Sequence, residues 1–95
     1  MPIPLSLQGV LWSAGIKKIN IERDKEYIIH QVLTYGTLEQ IKWLFKIYGK
    51  DKVRRVFLQN PQPIYDPAIF YLVKNIILGL KKNRLIPTRY VKTVF

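Results

Sequence analysis

The stretch Ile21-Glu22-Arg23-Asp24-Lys25-Glu26-Tyr27-Ile28-Ile29-His30-Gln31-Val32-Leu33-Thr34-Tyr35-Gly36, running on into Thr37-Leu38-Glu39-Gln40-Ile41-Lys42-Trp43-Leu44-Phe45-Lys46-Ile47-Tyr48-Gly49, decides the fold. In its first half Ile21, Ile28, Ile29, Val32 and Leu33 recur at helical spacing, which predicts a helix from about Glu22 to Tyr35. Glu22, Asp24 and Glu26 stand in its first turn, where the helix dipole favours anions. Asn20 is the expected cap, and Gly36 is expected to end the helix in the left-handed conformation. Thr37-Leu38-Glu39-Gln40 fits a capping box that opens a second helix. Its inward stripe reads Leu38, Ile41, Leu44, Phe45 and Tyr48, with Lys42 and Lys46 outward, and Gly49 stops it. Asp51 is then expected to cap a third, shorter helix over roughly 52–59, with Val53, Val56 and Phe57 facing the core.

Beyond this, Asn60-Pro61-Gln62-Pro63 cannot continue a helix. Asp66-Pro67 is the preferred order of cap and first helical residue, and it opens a fourth helix over about 67–80. That helix is apolar on most of its circumference, so it reads as central to the domain or as half of a homo- or hetero-oligomer interface. In so small a domain a mixture of the two is expected, with Phe70, Val73, Ile76, Ile77 and Leu80 as the partner or homodimer surface. The segment Lys81 to Phe95 holds five basic residues and no acidic one, and Pro87 interrupts it. Residues Arg89 to Phe95 have the composition of an extended segment, either an isolated edge strand or an arm that orders on a partner. Residues 1–15 read as an irregular arm anchored by Leu11 and by a space-filling Trp12. The expectation is therefore a single all-α domain over 1–95, a small bundle of about four helices with a helix-turn-helix-like pair. It divides into an arm (1–15), a helical core (20–80) and a basic tail (81–95).

Ninety-five residues, 48% hydrophobic and 13% aromatic, suffice for one cored domain and are too few for two. The formal charge is +10, and it is unevenly placed. Residues 1–41 balance Lys17, Lys18, Arg23 and Lys25 against Glu22, Asp24, Glu26 and Glu39. Residues 42–95 set all the remaining Lys and Arg against only Asp51 and Asp66, so this half carries the whole excess. A basic half on a foldable domain points to an anionic partner, whether nucleic acid, an acidic protein or a membrane surface. The absence of cysteine excludes disulfides and thiolate metal sites and fits the reducing cytoplasm. Met1-Pro2-Ile3-Pro4-Leu5 lacks the basic and apolar regions of a secretory signal. The most apolar run, Ala68 to Leu80, contains Lys74 and Asn75 and falls short of the about 20 residues that span a bilayer. A soluble, cytoplasmic protein without membrane contact is expected.

Little in the chain suggests catalysis. The single histidine, His30, has Glu26 as its i,i+4 neighbour, which reads as a surface pair. No set of His, Asp and Glu has metal-ligand spacing, and the five glycines form no phosphate-cradling loop. The expectation is a non-enzyme with no cofactor.

Binding of nucleic acid has more support. The second and third helices, joined by a short Gly-containing turn, resemble a helix-turn-helix. On the third, Lys52, Arg55 and Gln59 lie at i, i+3 and i+7 with Arg54 beside them, residue types that hold phosphates and read base edges. A helix that merely exposes a solvated basic face would carry the same residues, and Lys42 stands where a compact helix-turn-helix usually places a small one. In the tail, Lys81, Lys82, Arg84, Arg89 and Lys92, interleaved with Tyr90 and Phe95, suit either a phosphate backbone with stacked bases or an acidic protein.

Leu11-Trp12-Ser13, the stretch Ile21 to Gly36 quoted above and Trp43-Leu44-Phe45-Lys46-Ile47-Tyr48-Gly49 together resemble a family of small prokaryotic proteins of unknown function. Its pattern is an "LFWD"-like start, an "IIxxVLxxG" helix and a "WLxxxYG" helix, and the resemblance covers roughly residues 11–80. Ser13 stands where the pattern usually has an acid. Members of that family are often found beside nucleotidyltransferase-like toxin genes of the AbiEii type. The resemblance therefore implies an antitoxin-like or regulatory module that binds such a toxin, its own promoter DNA, or both. The alternative is a standalone protein that binds nucleic acid without sequence preference.

Overall fold

The first helix of the computed structural model, α1, runs over Lys25–Tyr35 and buries six successive residues, Ile28 to Leu33. A helix covered over so much of its circumference lies at the centre of the domain. It starts later than the acidic run suggests, because residues 21–24 form a separate turn closed by the Asp24 N–H to the Asn20 carbonyl at 2.8 Å. Asn20 caps that turn, its Oδ1 accepting from the N–H groups of Glu22 (3.0 Å) and Arg23 (2.8 Å), while Asp24 Oδ2 accepts from the Asn20 N–H. The structure describes residues 7, 9–11, 19–82 and 84–92.

Gly36 ends α1 differently from expectation. Its φ of −78° and ψ of 161° are extended, not left-handed. The glycine serves close approach instead, since a Cβ here would lie 2.6 Å from the Val32 carbonyl oxygen. Helix α2, Leu38–Tyr48, opens on the expected capping box: Thr37 Oγ1 accepts from Gln40 N–H at 3.2 Å, and Gln40 Oε1 accepts from Thr37 N–H at 2.8 Å. Ile41, Leu44 and Tyr48 face inward and Phe45 packs partly against the core, but Leu38 is 71% exposed. It sits at the α1–α2 corner, beyond the last turn of α1, where no neighbouring element covers it. Lys42 and Lys46 point outward as expected.

A single residue joins α2 to α3, Lys50–Gln59. Gly49 has φ 84° and ψ 146°, a region that costs a side-chain-bearing residue dearly, and it serves as the end of one helix and the cap of the next. Asp51 is therefore not the cap; it lies in the first turn, where its charge still suits the dipole. Val53, Val56 and Phe57 are buried.

After the Asn60–Pro63 break, α4 covers only Pro67–Tyr71, and the chain continues as a π-helical segment, Leu72–Ile77. In an α-helix Leu78 would point about 140° away from Val73. The wider π turn, closed by the Leu78 N–H to the Val73 carbonyl at 2.8 Å, returns Leu78 to the inner side, and both residues are fully buried. Gly79, at φ 64°, then turns the chain away from the expected continuation to residue 80.

Described parts of both terminal segments reach the core, with Leu11 anchoring the first as expected. Leu7, Val10 and Leu11 are buried, and the Gln31 side chain donates to the Val10 carbonyl at 2.9 Å; Trp12 lies outside the described residues. Of the two forms expected for residues 89–95, the described part, 89–92, follows the extended one, paired at Val91 alone. Tyr65 and Val91 form a parallel β-bridge, with the Tyr65 N–H donating to the Tyr90 carbonyl and the Lys92 N–H to the Tyr65 carbonyl, both at 2.9 Å. A short 3₁₀ turn, Pro87–Arg89, positions Tyr90, which is 2% exposed. Burying that aromatic surface outweighs the pull of water on a basic, proline-interrupted segment. The fold is thus an all-α bundle of four helices, with the β-bridge as its only extended pairing among the described residues.

Candidate nucleic-acid and partner interface

The basic half of the chain rests on α2, α3 and the segments that follow. Lys42 and Lys46 on α2 and Lys50 at the α2–α3 corner are exposed. Of the α3 stripe, Arg55 and Gln59 are exposed and Lys52 is half-buried. Arg54 departs from this set. Its Nε donates to the Leu78 carbonyl at 2.6 Å, so the guanidinium is spent holding α3 against the turn that follows the π segment. That contact brings Lys81 and Lys82, both exposed, next to α3. Farther along the same helix, the Tyr90 hydroxyl donates to the Phe57 carbonyl at 2.6 Å and draws in the segment carrying Arg84 and Arg89, also exposed. Two hydrogen bonds thus tie the segment between Leu78 and Tyr90 to α3 at its two ends. Tyr90 itself is buried and is not available to stack on a base, and Phe95 lies outside the described residues.

Few of these cations are neutralised within the chain. Among the described residues of the basic half, one ion pair forms, Lys92 Nζ to Asp66 Oδ1 at 3.4 Å, with both side chains well exposed. Such a pair contributes little. Lys74 turns back toward its own segment, donating to Asn75 Oδ1 at 3.1 Å and approaching the Lys81 carbonyl at 3.5 Å.

The α2–α3 pair differs from the helix-turn-helix in its connection. A DNA-reading pair commonly has a turn of three or four residues, whereas here Gly49 alone separates the helices. The expected partner surface is also rearranged. Phe70, Val73 and Leu80 are at most 6% exposed and belong to the core. Ile77 is half-buried, and only Ile76, at 73%, stands fully in solvent, beside Tyr71 and Leu72.

His30 is not the surface residue its Glu26 neighbour suggested. It is 1% exposed, with Nε2 2.6 Å from the Asn60 carbonyl and Nδ1 2.7 Å from the Tyr65 hydroxyl. A carbonyl only accepts, so Nε2 carries the proton and Nδ1 accepts from the tyrosine. Burial pulls the imidazole down to about 4, with the Asn60 carbonyl acting the other way. Burial likewise pushes the Tyr65 phenol well above its ordinary value, with Tyr90 adding to the rise. Phe57 packs among these rings, 5.6 Å from Tyr65, 4.6 Å from Tyr90 and 6.3 Å from Phe70, centroid to centroid. A cavity of about 330 Å³ lies over the histidine, lined by Glu26, Tyr27, His30, Gln31, Gln62 and Ile64. Both ring nitrogens are already engaged, so the imidazole offers this cavity no free nitrogen. The signal in the sequence was faint: a polar pair, His30-Gln31, inside an otherwise apolar run, and Asn60 at a proline break that leaves its carbonyl outside any helix.

Among the described residues no group of three or more His, Asp or Glu is placed to hold a metal ion, and no helix is long and apolar enough to cross a membrane. No curated protein and no solved structure matches the chain. One family model does match, over residues 7–57. It begins within the buried Leu7–Leu11 turn, takes in α1 and α2, and ends at Phe57 in α3, short of the residue 80 to which the resemblance extended. More than half of the chain is covered, and the chain belongs to that family, the family of unknown function DUF6922.

Proposed function

We propose that this chain is a non-enzymatic, antitoxin-like regulatory module that binds a partner protein and, through its basic C-terminal half, DNA. The observation that carries the reading is the exposed positive charge on α3 and the segment tied to it, with Arg55, Lys81, Lys82, Arg84 and Arg89 in solvent and one weak ion pair among the described residues of this half. Charge of this density, offset on α3 by Asp51 alone, attracts an anionic surface over the distance of the Debye length and releases counterions on binding. The resemblance to small proteins found beside AbiEii-type nucleotidyltransferase toxins supports such a toxin as the protein partner. The direct test is co-expression with the product of the adjacent gene, followed by purification at low and high salt. A stable complex supports the reading, and clean separation at low salt counts against its protein half. For the DNA half, the chain should shift its own promoter fragment with a steep dependence on salt.

The one-residue α2–α3 connection favours a second reading, a standalone protein that holds nucleic acid by its phosphates without reading sequence. The Arg55→Ala variant separates the two. Loss of base preference with about 1–3 kcal/mol of affinity marks sequence reading, whereas a uniform loss with a flatter salt slope marks phosphate contact alone.

A further inference from the structure

One apolar area of the surface is left unexplained by the fold. Tyr71 (52% exposed), Leu72 (45%) and Ile76 (73%) stand on the outer side of α4 and the π segment, and Ile86 (56%) precedes the 3₁₀ turn. Between α4 and that turn lies a groove of about 280 Å³ walled by Pro67, Tyr71, Pro87, Thr88, Val91 and Lys92. Tyr71 belongs to both features and Ile86 adjoins Pro87 in sequence, so exposed apolar side chains flank the groove and form an apolar strip with it. Its charged borders are basic: Lys92 in the wall, Arg89 in the turn and Arg84 just before Ile86, all exposed. Asp66, the sole acid nearby in sequence, is paired with Lys92, which leaves Arg84 and Arg89 as the cations that give this border its net positive charge.

We propose that this groove is the docking site for an acidic segment of a partner protein that carries apolar anchor residues. The proposal rests on the partner-binding half of the function above and assigns it a place and a chemistry. Nucleic acid is a poor occupant, because Leu72, Ile76 and Ile86 offer nothing to phosphates and would stay wet against them. A second copy is a poor occupant as well. A two-fold contact sets a patch against itself, which would bring Arg89 and Lys92 of two chains of charge +10 toward like charges. An acidic segment satisfies both parts at once: its apolar side chains fill the groove, and its carboxylates face Arg89 and Arg84.

The test uses the full chain and a phage-displayed library of random peptides of about 16 residues, a length that spans a groove of this kind. Enriched peptides are expected to be net acidic with closely spaced Leu, Ile, Phe or Trp. A fluorescein-labelled copy of the most enriched one should lose about tenfold or more in affinity for the variants Tyr71→Glu and Ile76→Glu, as anchor positions do. The exposed residues of the α1–α2 corner give the control, and Tyr35→Glu and Leu38→Glu should bind it as the wild type does. Both groove variants replace exposed side chains, and circular dichroism checks that they remain folded. Acidic peptides that bind all four variants equally would overturn the groove while leaving a protein partner elsewhere. Enrichment of neutral or basic peptides, or none, overturns the proposed chemistry. Loss of binding to a labelled oligonucleotide, or conversion of a dimer to a monomer in sedimentation, on Ile76→Glu assigns the strip to those occupants and overturns it too.

Discussion

The Tyr90 hydroxyl donates to the Phe57 carbonyl at 2.6 Å while the two rings stack with centroids 4.6 Å apart, so one residue of the basic tail is both packed on and hydrogen-bonded to α3. The tail is thereby a structural part of the domain rather than an appendage. Removing the hydroxyl in Tyr90→Phe should cost about 1–2 kcal/mol, the value of a buried hydrogen bond whose acceptor is left unpaired. Removing the ring in Tyr90→Ala should cost about 3–5 kcal/mol. Urea unfolding measures both, and a Tyr90→Ala midpoint equal to that of the wild type would falsify the placement.

His30 makes stability depend on pH in a definite direction. Its folded value of about 4 lies below the ordinary 6.5, so between these values the unfolded chain takes up a proton that the folded chain refuses. Stability is therefore full above about pH 6.5 and is lost as pH falls toward 4, by on the order of 3 kcal/mol in all. Asp24, held below its ordinary 3.8 first by the Arg23 side chain and then by the Asn20 N–H, adds a loss only in more acidic solution. His30→Phe should be less stable at pH 7 by about 1–3 kcal/mol, since the Tyr65 hydroxyl and Asn60 carbonyl lose their partner. Its stability should nonetheless vary less than the wild type's between pH 4 and 6.5, which urea titrations at several pH values will show.

Neighbouring arginines on α3 should separate stability from binding. Arg54→Ala breaks a charge-assisted bond to Leu78 and should cost about 1.5–3 kcal/mol in unfolding free energy. Arg55→Ala, at an exposed position, should change stability by no more than about 0.5 kcal/mol and instead weaken nucleic-acid binding. Equal thermal shifts for the two variants would contradict the assignment of Arg54 to the fold.

The two helix-joining glycines should resist substitution for different reasons. Gly49→Ala forces a side chain into a backbone region that costs about 1–3 kcal/mol. Gly36→Ala keeps an allowed backbone but pushes a methyl group to 2.6 Å from the Val32 carbonyl, so the end of α1 must shift, at a cost of about 1–3 kcal/mol. Both appear as lowered melting temperatures, and hydrogen exchange should show the Gly36→Ala loss concentrated in the last turn of α1.

Loss of the α2 cap offers a milder perturbation. Thr37→Ala removes the acceptor of the Gln40 N–H and should cost about 1 kcal/mol, whereas Thr37→Ser should retain most of it. Chemical unfolding of the pair resolves the difference.

Sequence alone determined the helices of this protein wherever the cause is local. The Thr37–Gln40 capping box, the Gly49 stop, the proline break at 61–63 and the Asp66-Pro67 start all act within a few residues, and each stands where its chemistry requires. The excess of charge in residues 42–95 was equally plain. Tertiary structure decided which side chains are free to act. His30 meets Asn60 and Tyr65 from 30 and 35 residues away, and Tyr90 meets Phe57 from 33. Leu78 turns inward only because the π segment widens the helix, and Arg54 leaves the basic stripe only because Leu78 comes within reach. Local propensity carries no record of such distant partners: burial is fixed when the elements pack, and packing assigned Tyr90 to the core and left Tyr71, Leu72 and Ile76 to solvent.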